Sequence, residues 1–332
     1  MSVILDMLAE KYSKLPFQLL EFFQIGKPVD QQSIKSIADF LKSREDQTLE
    51  VPNSVILNQI CEILSNQGFM VPVSKQGVLG INNTYVQTTI GDLNIYKDRD
   101  LNSFSLHLSC LVFGFRYIFE TYRNAVAPII HTTYNDDITI GTGFFYRRYF
   151  ITAKHCLEGS KSISIKGFSA QELSKAQVKY HSDDGIDLAF FEVTKSDRIA
   201  QVIDRLDEGR VLDAVITLGY PKIAGFHTIQ TVEQGQVSSR LTVTKGEVSG
   251  TGKHYLSDME MTLITAKIRG GNSGGPVLNS TGSVVAVASQ MALGKGDYDD
   301  LGYGSVIPFK YVEEMIESKN KIAEKLIFTD FV

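Results

Sequence analysis

Apolar residues recur at spacings of three and four through the first 125 positions and at short, alternating intervals after them, so one chain is expected to hold two kinds of structure. Ile4, Met7 and Leu8, then Leu15, Leu19, Phe22 and Phe23, fall on helical faces. Ile34, Ile37, Ala38 and Leu41 mark a second helix, with Asp30 or Ser33 as its cap. Val55, Ile56, Ile60, Ile63 and Leu64 mark a third, opened by Asn53 or Ser54 and ended by Gly68. The next stretch, FMVPVSKQGVLGINNTYVQTTIG, is rich in β-branched residues and turn glycines and suits a hairpin. A longer amphipathic pattern over 101–123 predicts a helix joining the two halves. From Ala125 the runs shorten to VAPIIHTT, ITIGTGFFYR, YFITA, SISIKG, DLAFFEV, AVITLGY and others like them. They predict an all-β barrel or sandwich that closes with a helix over 311–326.

Three helices and a hairpin resemble a winged-helix module, and a generic small helical domain accounts for the pattern equally well. The third helix, SVILNQICEILSNQ, has no lysine or arginine. A recognition helix without cations neutralises no phosphates, so a protein partner fits this domain better than DNA.

Composition narrows the picture further. Apolar residues make up 43% and charged residues 21% of 332 positions, ample for a core, and the net charge is −5. Lys and Arg number 11 against 13 Asp and Glu in the first 125 residues, so neither half has the basic excess of a nucleic-acid or anionic-membrane binder. The amino terminus carries Asp6 and Glu10 within its apolar stretch and lacks a basic region and a small-residue cleavage site. The longest apolar run, LHLSCLVFGFRYIF, is interrupted by Arg116 and is too short for a bilayer. Cys61, Cys110 and Cys156 form neither a disulfide framework nor a CxxC metal site. No cofactor or metal is expected, and the expected location is the cytoplasm.

The candidate chemistry lies in KIRGGNSGGPVLNSTG, where four glycines crowd Ser273. Glycine suits positions that need a positive φ or close approach, so the stretch reads as a site. Two further motifs precede it, YFITAKHC with His155 and DGIDLAFFEV with Asp187. A serine hydroxyl is a poor nucleophile without an adjacent base. His155 would take its proton and return it to the leaving amine, while Asp187 would hold the imidazole tautomer. Asp183 and Asp184 compete for the acid position, but only Asp187 runs into an apolar strand. His131, His181, His227 and His254 carry no motif and are expected to be structural or superficial.

In content and order these motifs resemble the chymotrypsin-fold, trypsin-like serine peptidases. GTGFF before the histidine, LGYP later on, Asn272 before the serine and the ending GYGSVIPFKYVEEM resemble the Htr/Deg-type enzymes in particular. The resemblance covers 126–332. Together with the periodicity of the first 125 residues, it gives an expected α+β multi-domain chain: from the periodicity an N-terminal mainly helical or winged-helix-like interaction domain (1–97) and a linking helix (98–125), and from the resemblance an all-β double β-barrel of chymotrypsin type with a C-terminal helix (126–332). It implies a serine endopeptidase acting on a protein substrate, with His155, Asp187 and Ser273 catalytic and the amides of Gly271 and Ser273 forming the oxyanion hole. Control is expected through a regulatory protein partner at the N-terminal domain.

Two departures from secreted trypsins have consequences. The partner position for the cysteine after the histidine is occupied by TIGTG, so Cys156 is expected to be a free buried thiol. Asn272 replaces the aspartate that receives a new amino terminus, so activation by that cleavage is not expected. The resemblance also places Val287, Ala288 and Ser289 beside the specificity pocket. Lys267 either lies at its base, where it would favour an acidic residue, or points into solvent, whereas Asp297, Asp299 and Asp300 would attract a basic residue.

Overall fold

The computed structural model describes residues 9, 11–23, 34–44, 52–77, 79–88, 101–193, 202–221, 241–253, 259–289, 302–318, 320–323 and 326–331. Two units divide the chain, Met1–Ile118 and Phe119–Val332.

In the first unit the order is α1 (Leu15–Phe22), β1 (Lys35–Ser36), α2 (Ile37–Lys42), α3 (Ser54–Asn66), β2 (Met70–Ser74) and β3 (Thr84–Gln87). The strands pair in the order β1-β3-β2. α3 starts where the sequence places it, because the Asn53 side chain accepts the Ile56 N–H at 3.1 Å. α2 starts later than expected. Its cap is Ser36, in a reciprocal box with Asp39, and this leaves Ile34 64% exposed rather than on the buried face. Asp30, Ser33 and the Ile4 to Leu8 segment lie outside the described residues. Leu19, Leu20, Phe23, Phe40, Leu57 and Leu64 form the centre of this unit's core. Asn58 sits among them with its polar atoms satisfied by the carbonyls of Ser54 and Gly80, the Asn83 amide and the Tyr85 hydroxyl. The helix expected over 101–123 is α4 (Leu101–Tyr122), broken at Gly114, where φ 74° and ψ −164° leave the helical region.

The second unit opens with β4 (Val126–Thr133), β5 (Ile138–Tyr146), β6 (Tyr149–Thr152), β7 (Ser160–Ile165), the short α5 (Ala170–Leu173), β8 (Lys179–Tyr180) and β9 (Ala189–Glu192). It continues through β10 (Ala214–Gly219), β11 (Thr242–Lys253), β12 (Glu260–Ile264), β13 (Pro276–Asn279), β14 (Val284–Ala288) and β15 (Gly304–Pro308). The last six strands close a barrel in the order β10-β11-β12-β15-β14-β13. Among the described residues the first six do not close on themselves. They form one sheet, β8-β9-β6-β5-β4-β7, whose two edges are taken up by the C-terminal segment.

That segment corrects the expected helix over 311–326. α6 (Lys310–Glu317) stops when Ser318 turns extended, and β16 (Lys321–Ile322) pairs with β8. Farther on, Phe328 bridges Ile163 of β7, with hydrogen bonds from Ile163 N–H to Ile327 O and from Thr329 N–H to Ile163 O, both 2.9 Å. Two sheet edges with unpaired amides reward an extended chain more than helix propensity rewards another turn.

Candidate active site

β6 runs into a single 3-10 turn, Lys154–Cys156, and β9 is preceded by a tight turn at 183–186. These two neighbouring strands therefore deliver His155 and Asp187 from the same end of the sheet. The Asp187 carboxylate is buried and receives three hydrogen bonds: His155 Nδ1 at 2.6 Å, the His155 backbone N–H at 2.9 Å and the Ser289 hydroxyl at 2.7 Å. One carboxylate thus fixes both the ring, through Nδ1, and the backbone of the histidine. Burial works to lower the pKa of the imidazole, but the Asp187 hydrogen bond, helped by the neighbouring Cys156 sulfur, outweighs it and holds the group above its ordinary value.

Ser273, itself buried, comes from the closed barrel, and its loop is fastened to the first sheet by its own backbone. Thr142 N–H donates to Ser273 O at 2.9 Å, and the Thr142 hydroxyl donates to Gly271 O at 2.6 Å while accepting from Tyr220 N–H at 3.0 Å. Gly274 N–H donates to Ala288 O at 2.7 Å, and Ala288 N–H to Gly275 O at 2.8 Å. Gly271 and Gly274 have φ of 100° and 86°, conformations that side chains rarely adopt. A methyl group on Gly274 would overlap Thr142 O and Thr152 Oγ1 and lie 2.7 Å from Ala153 N, two residues before His155. The serine loop is thus seated directly on the backbone that leads into the histidine turn. Gly274→Ala is expected to lower stability by about 2–5 kcal/mol through strain and overpacking, read as a lower midpoint of chemical denaturation. An unchanged midpoint would show that the loop is not held this tightly.

The family described as "Trypsin-like peptidase domain" matches residues 141–287, a span that begins beside Thr142 and takes in His155, Asp187 and Ser273. Over that span the chain is similar to the trypsin-like peptidases. "Serine protease Do-like HtrA" of Bacillus subtilis is 29% identical over 202 residues, 56% of this chain and 41% of that protein. "Probable periplasmic serine endoprotease DegP-like" of Chlamydia trachomatis is 28% identical over 186 residues, 54% of this chain and 34% of that one. The chain therefore spans less than half the length of these curated relatives. Among solved structures, an HtrA-type protease AlgW with tripeptide (23% identity, TM-score 0.43) covers 60% of this chain and 62% of its own. The serine endoprotease from Yersinia pestis (21%, TM-score 0.43) covers 60% of this chain and 64% of its own.

Within the second unit the other expected site residues fall in different places. Ser289 holds Asp187 with its hydroxyl, a role the sequence reading had not given it. Val287 and Ala288 are fully buried in β14, where Ala288 supports the serine loop through its backbone. Lys267 is exposed between the buried Ala266 and Ile268. Asp297, Asp299, Asp300, His227 and His254 lie outside the described residues. Asp183 accepts Gly185 N–H, and Asp184 pairs with Lys321 at 2.6 Å, so both are engaged away from His155. His131 sits between Ser160 and Thr139, and burial together with the nearby His155 pushes it down to about 4, leaving it neutral. His181 is buried and packs edge-on to Tyr311.

Cys156 is a free buried thiol whose Sγ lies 3.5 Å from Ser273 O. The Cβ that Gly141 lacks would lie 2.5 Å from that sulfur, so Gly141 is the residue facing Cys156. Asn272 is buried, and among the described residues its carboxamide oxygen has no hydrogen-bond partner. The most informative residue missed from sequence is Thr142, inside the GTGFF motif, which ties Ser273, Gly271 and Tyr220 together.

Proposed function

We propose that the chain is a serine endopeptidase that hydrolyses peptide bonds of protein substrates through an acyl-enzyme. The reading rests chiefly on the clamp of Asp187 on His155, with the Ser273 loop seated on the backbone next to it. In this reading Ser273 Oγ attacks the scissile carbonyl and His155 Nε2 takes its proton. The same proton then goes to the leaving amine, and water, deprotonated by His155, releases the acyl group. Asp187 stabilises the imidazolium that forms. The N–H groups of Gly271 and Ser273 receive the oxyanion, each worth about 2.7–4 kcal/mol in the transition state. A fluorophosphonate probe, which reacts only with an activated serine, should modify the full chain at Ser273, read by peptide mapping. Labelling elsewhere, or none in the presence of a cell lysate that supplies partners, would remove the reading.

The first unit is a docking module for a regulatory protein. Its order of helix, strand, two helices and hairpin follows winged-helix modules, yet α3 carries no lysine or arginine. Val55, Val71, Val73, Leu79 and Ile81 present apolar side chains more than 40% exposed on and beside the hairpin, a surface suited to protein rather than to phosphate. The full chain should not shift duplex DNA in a gel at low salt, and a salt-sensitive shift would reverse the assignment. Among the described residues no helix is long and apolar enough to cross a membrane. Three free cysteines favour a reducing compartment, whereas the name of the Chlamydia relative includes the periplasm. Cell fractionation decides between them.

A further inference from the structure

The Tyr149 and Glu192 ends of β6 and β9, opposite the ends that carry His155 and Asp187, open onto a cavity of about 450 Å³. Five aromatic residues line it, Phe145, Tyr149, Phe168, Phe190 and Phe191. Phe145 and Phe168 stack at 5.5 Å and 23°, Phe191 meets Phe168 edge-on at 5.6 Å, and Phe190 meets Tyr149 edge-on at 5.5 Å. A void bounded by rings forfeits dispersion contacts on its open side, and this volume lies within the range of about 300–1,000 Å³ common for small-molecule sites.

The charges at the rim favour one sign of ligand. Both carboxylates are engaged: Glu172 accepts the Ser169 N–H and hydroxyl, and Glu192 pairs with Arg148 at 3.4 Å. Arg148 is further occupied by the Tyr149 hydroxyl at 3.0 Å. Lys175 and Lys179 also line the cavity, and among the described residues neither enters an ion pair. Lys179 only lies over the Phe190 ring, 5.8 Å from its centre. The rim thus offers two uncommitted ammonium groups above an apolar, ring-lined floor.

We propose that this cavity is a binding site for a small aromatic anion, whose rings lie against Phe168 and Phe190 and whose charge is met by Lys175 and Lys179. Three residues of paired strand, about 10 Å, separate it from the ends of β6 and β9 that carry His155 and Asp187, so it is a distinct site.

The probe is anilinonaphthalene sulfonate, titrated into the full chain and followed by fluorescence. Saturable binding is expected, weakened roughly tenfold or more by the surface pair Lys175→Glu and Lys179→Glu, since losing one charge-assisted contact costs about that factor. Ala176→Phe, which fills the cavity, should abolish the same component, and uncharged phenylnaphthylamine should bind far more weakly than the sulfonate. Affinity for the dye within twofold of wild type in the lysine pair overturns the proposal even if Ala176→Phe fails to fold. Equal binding of the uncharged dye overturns it as well. The readout is independent of Ser273, so failure here leaves probe labelling of the serine untouched, and the reverse also holds.

Discussion

Ser273→Ala is expected to reduce turnover of any denatured protein that the wild-type chain cuts by roughly a millionfold in kcat, with substrate binding little changed. The size of the loss follows from the way the parts act as a unit. Without the hydroxyl no acyl-enzyme forms, and the Asp187–His155 clamp has no proton to move. The side chain is buried, and its loop is held by backbone bonds to Thr142, Ala288 and Asn272 that the substitution leaves in place. The variant should therefore unfold at the wild-type denaturant midpoint. Continued cleavage at the wild-type rate would assign the nucleophile to another residue. A lowered midpoint would mean that the loss reports folding and not chemistry.

Asp187→Asn should cost about 10⁴-fold in kcat and should also move the pH profile. As a base, the imidazole works only when neutral, so the rate rises with pH as the ring loses its proton. In the wild-type chain Asp187 holds that pKa above the ordinary histidine value against the opposing effect of burial. With the carboxylate gone, burial remains and the charge that favours the imidazolium does not. The acid limb of kcat/KM should shift to lower pH even as the plateau falls, because the carboxamide presents the wrong partner to Nδ1. Ser289 would then lose its charged acceptor too. A plateau reduced without any movement of the limb would place the titrating group elsewhere.

Much of the site was legible because its pieces are local. Each motif packs a functional side chain and the turn that presents it into fewer than ten residues, and the apolar LAFFEV strand singled out Asp187 over Asp183 and Asp184. The structure joins Asp187 to His155 across 32 positions. What could not be read was held in place by distant partners. Thr142 lies 129 positions from Gly271, and nothing in its own surroundings shows that its hydroxyl will fix the serine loop. Ser289 belongs to a strand end and was taken as pocket lining, although its partner lies 102 positions earlier. The C-terminal stretch has good helix formers, and only the open edges of a sheet formed much earlier in the chain explain why it leaves the helix at Ser318. At the other end, Ser36 took the cap from its neighbours by pairing with Asp39, a choice settled by one side-chain geometry.

The bare Cα at Gly274 and the threonine opposite it couple the two sheets of the second unit. A graft that replaced one sheet would have to keep both residues: a Cβ at 274 would meet Thr142 O, and loss of the Thr142 hydroxyl would take a partner from both Tyr220 N–H and Gly271 O.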